Sequence, residues 1–229
     1  MTDTKSYLGN LNMIVKIIIF DLDGTLINSA NSILNSLQVA FNEVGISPIQ
    51  PLTSDLVGPP LQDIISKLLC ASDVNSMPNI AAAFKRHYDE TGYVYAKAYD
   101  GISVALESLK TMQLKLFIAT NKRSIPTKKI IGLTGWNSFF SGIYSLDTFH
   151  PALPNKSILL ENILYSLNIS SKEVIYIGDR AEDYDAARSV GCNFILAEWG
   201  YINDFNGRSC SVCIKSPDML LDTLERNFF

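Results

Sequence analysis

Two aspartates, Asp21 and Asp23, directly follow a short apolar run at residues 17–20. Such a run is typical of a strand that is buried on both faces of a parallel sheet. In an extended segment, residues two apart point to the same side, so the two carboxylates would share a face, and Gly24 allows a sharp turn after them. Two like charges this close favour a bound cation. Carboxylate ligands that leave positions free for a phosphate indicate Mg²⁺.

A second acidic pair follows a later predicted strand. Asp179 follows the predicted strand at residues 173–177, and Asp183 lies four residues further, where a helix is predicted to start. Because ligands bind at the carboxyl ends of parallel strands, we expect this pair to lie near the first one. The favourable interaction of an acidic residue with a helix N-terminus is an alternative explanation for Asp183. The neighbouring Glu182 and Asp185 are predicted to face solvent.

Polar side chains also follow the predicted strand at residues 114–119, namely Thr120, Asn121, Lys122 and Arg123. A hydroxyl, an amide and two cations at a sheet edge are the donors that a phosphoryl group needs. Taken alone, the pattern is equally typical of an ordinary turn.

The elements that must position these groups alternate regularly. From residue 100 onward, predicted strands and helices follow each other, which is the pattern of a doubly wound parallel sheet in an α/β protein. After the first strand, however, helical periodicity recurs at residues 28–44, 61–69 and 79–90 without an intervening strand. We therefore predict an α/β core of residues 1–28 and 98–229, with residues 29–97 inserted as a small helical domain.

Composition excludes several classes of function. The 229-residue chain has a net charge of −4 and no basic stripe, so no nucleic-acid partner is expected. No run reaches the ~20 apolar residues of a membrane span, and the polar N-terminus lacks a signal-peptide core. These features predict a cytoplasmic protein without a membrane partner, as a monomer or homodimer. Cys210 and Cys213 form an isolated C-x-x-C for which an ordinary structural role is expected.

The motifs together resemble those of the haloacid dehalogenase superfamily of phosphohydrolases. The matching elements, in order, are D-L-D-G-T-L from Asp21, the strand-ending Thr120, the helix-opening Lys156, and Gly178-Asp179 with Asp183. Local segments such as VGPPL and TNKR are similar to those of phosphoglycolate-phosphatase-type members. Those members have a Rossmann-like core and a helical cap inserted after the first motif.

This resemblance implies a catalytic role for several of the residues. Asp21 would attack phosphorus and form an aspartyl phosphate, and Asp23 would act as general acid and then general base. Thr120, Asn121 and Lys156 would bind the phosphoryl group.

The resemblance also implies a Mg²⁺ cofactor. The carboxylate of Asp21, the main-chain carbonyl of Asp23 and the carboxylate of Asp179 would hold the ion, with Asp183 in support. The substrate would be a small phosphorylated metabolite, such as phosphoglycolate.

Two departures from the family pattern leave alternatives open. Ser157 follows Lys156 where many relatives have proline, so Lys122 is a rival for the role of active-site cation. Arg180 replaces a small hydroxyl residue and is expected either to pair with Glu182 or Asp183 or to face the site.

Other functions within the same fold are also considered. A sugar-phosphate mutase is disfavoured because mutase-like members tend to have valine at the position of Thr25. A dehalogenase is disfavoured because those relatives lack the second carboxylate, here Asp23. A non-catalytic binding module is disfavoured by the complete set of motifs.

Substrate choice is predicted to reside in the helical insertion, around residues 58–62 and 85–87, while aromatic residues such as Phe84 and Tyr88 pack its interior.

Overall fold

The computed structural model describes residues 15–202, 205 and 209–229. The strands are β1 (Ile17–Phe20), β2 (Ile27–Asn28), β3 (Lys97–Ala98), β4 (Lys115–Thr120), β5 (Phe140–Ser145), β6 (Val174–Gly178), β7 (Asn193–Ala197) and β8 (Cys213–Ile214). The helices are α1 (Ala30–Val44), α2 (Leu61–Leu68), α3 (Met77–Glu90), α4 (Ile102–Thr111), α5 (Ser124–Leu133), α6 (Lys156–Leu167), α7 (Ala181–Val190) and α8 (Leu220–Phe228).

Six of the strands form one parallel sheet in the order β5-β4-β1-β6-β7-β8. Strand β1 lies in the interior of this sheet, where Ile18 pairs with Leu116 on one side and Ile175 on the other. The unbroken apolar run of β1 is explained by this position, because an interior strand of a parallel sheet is covered on both faces.

Helices cover both faces of the sheet. Ile18 and Phe20 of β1 point into an apolar cluster shared with α4, α5 and α8, whereas Ile17 and Ile19 point into a second cluster shared with α6 and α7. The predicted doubly wound α/β fold is therefore confirmed.

The boundaries of several elements differ from the prediction. The first helix begins at Ala30 rather than at residue 28, because Asn28 pairs with Lys97 in a short antiparallel ladder. Helix α5 begins at Ser124, two residues before Pro126. A proline is tolerated in the first turn of a helix, where N–H groups have no intrahelical acceptor, so it does not mark the start.

Helices α1, α2 and α3 share an apolar cluster of their own. The chain enters this helical segment through β2 and leaves it through β3, and these two strands pair antiparallel. The pair lies at the predicted boundaries of the inserted domain, residues 28 and 98. The division into a core and a cap domain stays a prediction.

No helix in the described part of the chain combines the length and the apolar character that a membrane span requires. The prediction about the polar N-terminus concerns residues 1–14, which lie outside the described residues. The four cysteines are free thiols, and Cys213 opens the edge strand β8.

Candidate active site

The first acidic pair lies at the carboxyl end of β1, and both side chains are buried. The chain turns there through Gly24, which has a φ of 91°. A Cβ atom at this position would lie 2.1 Å from the Asp179 carboxylate. Only glycine fits, because the turn needs a left-handed backbone and a close approach to the second acidic pair.

Asp21 is the most deeply enclosed member of this pair, with 2% of its surface exposed. Its Oδ1 lies 2.9 Å from Lys156 Nζ but accepts no hydrogen bond of good geometry. Burial is the largest cause that raises the pKa of Asp21, to about 7, with Asp183 and Asp23 adding to it and Lys156 opposing it. Asp21 Oδ1 is therefore held by an ion pair with Lys156 and not by a hydrogen bond.

Lys156 opens α6 and is itself buried. Its ammonium group pairs with both Asp21 and Asp183. Burial lowers the pKa of Lys156, but the two carboxylates outweigh it, so the pKa lies well above its ordinary value. The cation thus stays charged beside Asp21.

Asp179 is held by two donors from distant parts of the chain. Thr25 Oγ1 donates to its Oδ1 at 2.9 Å, and the backbone N–H of Tyr201 donates to its Oδ2 at 2.6 Å. Burial, followed by the charges of Asp183 and Asp21, raises the pKa of Asp179 well above its usual range.

Asp183 has both carboxylate oxygens engaged. Its Oδ1 accepts from Lys156 and from the Tyr176 hydroxyl at 2.9 Å, and its Oδ2 accepts from the backbone N–H groups of Asp179 at 3.2 Å and Arg180 at 2.9 Å. Asp183 therefore orients its neighbours.

Carboxylate oxygens of Asp21, Asp179 and Asp183 lie within 4.8 Å of one another. A hard divalent cation fits this donor set, because it prefers carboxylate oxygens and would offset their repulsion. Asp21 offers the oxygen without a hydrogen bond, whereas the oxygens of Asp183 are already used.

The side chain of Asp23 has its hydrogen-bond partners outside this carboxylate cluster. Lys122 Nζ lies 2.9 and 3.0 Å from its two oxygens, and the Ser29 hydroxyl donates to Oδ1. The Lys122 ammonium also lies 4.6 Å from the centre of the Tyr88 ring. The two candidate cations thus have separate partners, Lys156 at Asp21 and Lys122 at Asp23.

Thr120 is the last residue of β4, the neighbour of β1, and Asn121 follows it. Thr120 is buried, and its hydroxyl accepts from the backbone N–H of Lys122 at 3.2 Å. Asn121 Nδ2 donates to the Gly58 carbonyl at 3.1 Å and to Glu182 at 2.9 Å, so its donors are occupied. The prediction that Glu182 faces solvent was wrong, because its carboxylate turns back to meet Asn121.

Arg180 does not extend into solvent. Its guanidinium is buried and donates to the carbonyls of Val57 at 2.8 Å and Tyr201 at 3.4 Å. Arg180 thus joins the end of β6 to the helical segment.

A cavity of about 70 Å³ lies between the strand ends and the helical segment. The sheet side contributes Asp23, Asn121, Lys122, Arg123 and Pro126, and the helical side contributes Ile33, Gly58, Pro59, Leu61, Ile64, Phe84 and Tyr88. Residues 58–62 therefore reach the cavity as predicted, through Gly58, Pro59 and Leu61.

Residues 85–87 do not line this cavity. His87 bonds to Ser36 at 2.9 Å, and Lys85 is exposed. The adjacent face of α3, which carries Phe84 and Tyr88, points to the cavity instead.

Comparison with known proteins decides the family. The model of the haloacid dehalogenase-like hydrolase family matches residues 18–197, which include both acidic pairs. The chain belongs to this family.

Relatives within the family are phosphatases and a kinase. The chain is 28% identical over 214 residues to a phosphoglycolate phosphatase of Aquifex aeolicus, covering 93% of this chain and 98% of that protein. It is 29% identical over 187 residues to the tyrosine-protein kinase PtkA of Mycobacterium tuberculosis, covering 81% of this chain but 63% of the kinase.

A crystal structure of a predicted phosphatase from Clostridium acetobutylicum has a similar fold. It matches with a TM-score of 0.80 at 28% identity, over 93% of this chain and 99% of the other. The sequence-based prediction of a phosphatase-like enzyme of the haloacid dehalogenase family is thus confirmed.

Sequence reasoning did not single out Ser29 or Tyr201, although both bond to acidic residues of the site. Ser29 lies six residues after Asp23 and is the first residue of the predicted insertion. This position is the one sequence feature that could have pointed to it. Tyr201 is 22 residues from Asp179, and no motif of the chain links the two.

Proposed function

We propose that the chain is a Mg²⁺-dependent phosphatase that hydrolyses a small phosphorylated metabolite through an aspartyl-phosphate intermediate. The observation that carries this proposal is Asp21. It is a buried carboxylate at the end of an interior strand, it has an oxygen without a hydrogen bond, and it lies beside Lys156 and Asp179.

Asp21 would attack phosphorus, forming a bond between its carboxylate oxygen and phosphorus while the bond to the leaving oxygen breaks. Asp23 would donate a proton to that oxygen and later accept one from the attacking water, which releases phosphate. The position of Asp23 supports this role, since its side chain lines the cavity where the leaving group would sit.

The transferred phosphoryl group would contact Lys156 and Thr120. Lys156 is suited to offset its negative charge, because the ammonium already lies 2.9 Å from Asp21. Asn121 would contribute an amide donor only by giving up its bond to Gly58 or Glu182.

Mg²⁺ would be held by Asp21, Asp179 and the main-chain carbonyl of Asp23, with Asp183 orienting Asp179 and Lys156. When bound, the ion would stabilise the ionised carboxylates and the charge of the phosphoryl group. The arrangement of Asp183 supports an indirect role, since its oxygens already accept four hydrogen bonds.

The cavity and the relatives support the proposed substrate class. A cavity of about 70 Å³ favours a small leaving group, and Lys122 and Arg123 lie in its wall, where they pair with Asp23 and Asp89. Phosphoglycolate is the first compound to try, since a relative of matching length is a phosphoglycolate phosphatase. No kinase activity is proposed, because the chain covers 63% of PtkA.

The test is release of inorganic phosphate from a panel of esters, beginning with phosphoglycolate and p-nitrophenyl phosphate, with Mg²⁺ and with EDTA. We expect release that requires Mg²⁺ and is abolished in Asp21→Asn. No release from any ester would contradict the proposal. Transfer of the phosphoryl group to a second sugar hydroxyl instead of water would favour the mutase alternative.

A further inference from the structure

Tyr201 belongs to the loop after β7, yet its ring packs in the apolar cluster of the helical segment. The other buried members described for this cluster lie between residues 30 and 88, on or between α1, α2 and α3. Tyr201 is 8% exposed. The side chain therefore reaches from the sheet into the insertion.

The Tyr201 hydroxyl lies at the start of α1. It accepts hydrogen bonds from the backbone N–H groups of Ser29 and Ala30, each at 3.0 Å, and donates to Asn28 Oδ1 at 3.2 Å. A hydroxyl has two lone pairs and one hydrogen, so the phenol can both accept from the two N–H groups and donate to Asn28.

Ser29 occupies the N-cap position of α1 but does not cap it. Its backbone has φ −111° and ψ 1°, and its side chain makes no capping hydrogen bond. A capping serine normally has an extended backbone and accepts an N–H from the first turn. Here the serine hydroxyl donates to Asp23 instead. The phenol oxygen of Tyr201 accepts from the backbone N–H groups of Ser29 and Ala30.

The backbone around Tyr201 is fixed to the site loop. Trp199 Nε1 donates to the Thr25 carbonyl at 3.0 Å, and the N–H of Tyr201 donates to Asp179 at 2.6 Å. A Cβ on Gly200 would lie 2.3 Å from both Asp179 Cβ and the Gly24 carbonyl. The phenol is thus presented from a rigid support.

We propose that Tyr201 is a positioning residue: its phenol holds Ser29 in a non-capping conformation, so that the Ser29 hydroxyl can hold the Asp23 carboxylate in place. Without the phenol, Ser29 would relax to the usual capping conformation and its hydroxyl would leave Asp23. The functional consequence rests on the proposed phosphatase activity, in which Asp23 transfers protons.

The test is a double-mutant cycle of Tyr201→Phe and Ser29→Ala. We expect Tyr201→Phe to lower kcat for phosphoglycolate by roughly tenfold, with KM within about twofold, because proton transfer by a well-placed side chain contributes ~10²–10⁴-fold. In the Ser29→Ala background, Tyr201→Phe should lower kcat no further. An unchanged kcat in Tyr201→Phe, or a double mutant whose loss is the product of the two single losses, would overturn the proposal.

Tyr144→Phe is the matched control. Tyr144 lies in β5 and stacks on Phe117 and Phe149, and its hydroxyl has no described hydrogen bond. It should retain wild-type kcat, which would show that loss of a phenol is not harmful in itself. An equal loss in Tyr144→Phe and Tyr201→Phe would count against a specific role of Tyr201.

Thermal unfolding tests the same inference without reference to activity. In Tyr201→Phe, Ser29 becomes the helix cap, so Ser29→Ala should lower Tm by roughly 2–4 °C more in that background than in the wild type. Equal losses in the two backgrounds would overturn the conformational switch of Ser29. If no ester is hydrolysed, the proposed phosphatase function fails, and this cycle still decides whether Tyr201 controls Ser29.

Discussion

Asp21 and Asp179 are buried beside each other and beside Asp183, an arrangement that is costly when no cation is bound. Burial, together with neighbouring carboxylates, raises the pKa of both Asp21 and Asp179. A carboxyl whose pKa is higher in the folded state than in the unfolded state binds more protons when folded. Its contribution to stability is therefore lost as the pH rises through the folded-state pKa.

This fall in stability with rising pH gives a prediction for Asp21→Asn. With EDTA present, the free energy of unfolding of the wild type should fall relative to that of the variant between pH 3.8 and about 7, the two pKa values of Asp21. Urea unfolding at about pH 5 and about pH 8 measures this difference, and we expect it to change by at least ~1 kcal/mol.

Under the proposed function, in which Asp21 is a Mg²⁺ ligand, Mg²⁺ should stabilise the folded wild type by RT ln(1 + [L]/Kd) and should stabilise Asp21→Asn less. The control is Glu161→Gln, which removes an exposed carboxylate on α6 and should behave as the wild type. A Mg²⁺-induced stabilisation of Asp21→Asn as large as that of the wild type would exclude Asp21 as a ligand.

Among the elements, the ends of the strands were predicted most accurately from the sequence. The runs before Asp21, Thr120 and Asp179 are apolar because their strands are covered on both faces, so both the strands and the polar residues after them could be predicted. Because the carboxyl ends of parallel strands share one edge of a sheet, Asp21 and Asp179 could then be placed at the same edge.

Contacts that depend on tertiary packing could not be predicted in this way. The sequence did not decide between Lys122 and Lys156, because the choice depends on how their two elements pack beside Asp21 and Asp23. The sequence also predicted that residues 85–87 of α3 contribute to specificity, whereas Phe84 and Tyr88 line the cavity. The sequence alone does not tell which face of this helix is turned towards the cavity, and neighbouring residues such as His87 and Tyr88 point in different directions from the helix axis. Glu182 was misplaced because its partner, Asn121, is 61 residues away.

The helical segment gives a prediction about specificity. Leu61 lines the cavity from the start of α2, so Leu61→Phe should reduce the room for the leaving group. We expect the ratio of kcat/KM for phosphoglycolate to that for a bulkier sugar phosphate to rise by about tenfold, since pocket contacts of this size are worth ~1–3 kcal/mol.

Lys85→Ala is the control, because Lys85 is exposed on the other face of α3. It should leave the ratio unchanged. If Leu61→Phe lowers kcat/KM for all esters by the same factor, the helical segment does not set specificity.

Over the whole molecule, several hydrogen bonds and ion pairs join the helical segment to residues that lie outside it. Asp89 at the end of α3 forms a two-pronged ion pair with Arg123, with distances of 2.8 and 2.5 Å, and its carbonyl accepts from Lys129 at 2.6 Å. Together with the bond of Arg180 to Val57, these contacts hold the segment over the strand ends. Closure of this kind excludes water and encloses a substrate.

We predict that Asp89→Asn lowers kcat/KM for phosphoglycolate by roughly fivefold, because a partly buried ion pair is worth ~1 kcal/mol. Glu43→Gln is the matched control, since Glu43 pairs with Arg86 within the helical segment and both side chains are 51% exposed. Steady-state kinetics of the two variants make the comparison. Equal effects would show that the ion pair across the cavity has no special part in closure.

The central claim is that Asp21 carries the phosphoryl group during turnover. It is tested most directly in Asp23→Ala with p-nitrophenyl phosphate and Mg²⁺, because this ester needs no proton for its leaving group while the second step lacks its base. We expect a burst of about one p-nitrophenol per active site. Acid quenching and mass spectrometry should then find one phosphoryl group on the peptide that contains Asp21. A phosphoryl group on another residue, or turnover without any enzyme-bound phosphoryl group, would contradict the account.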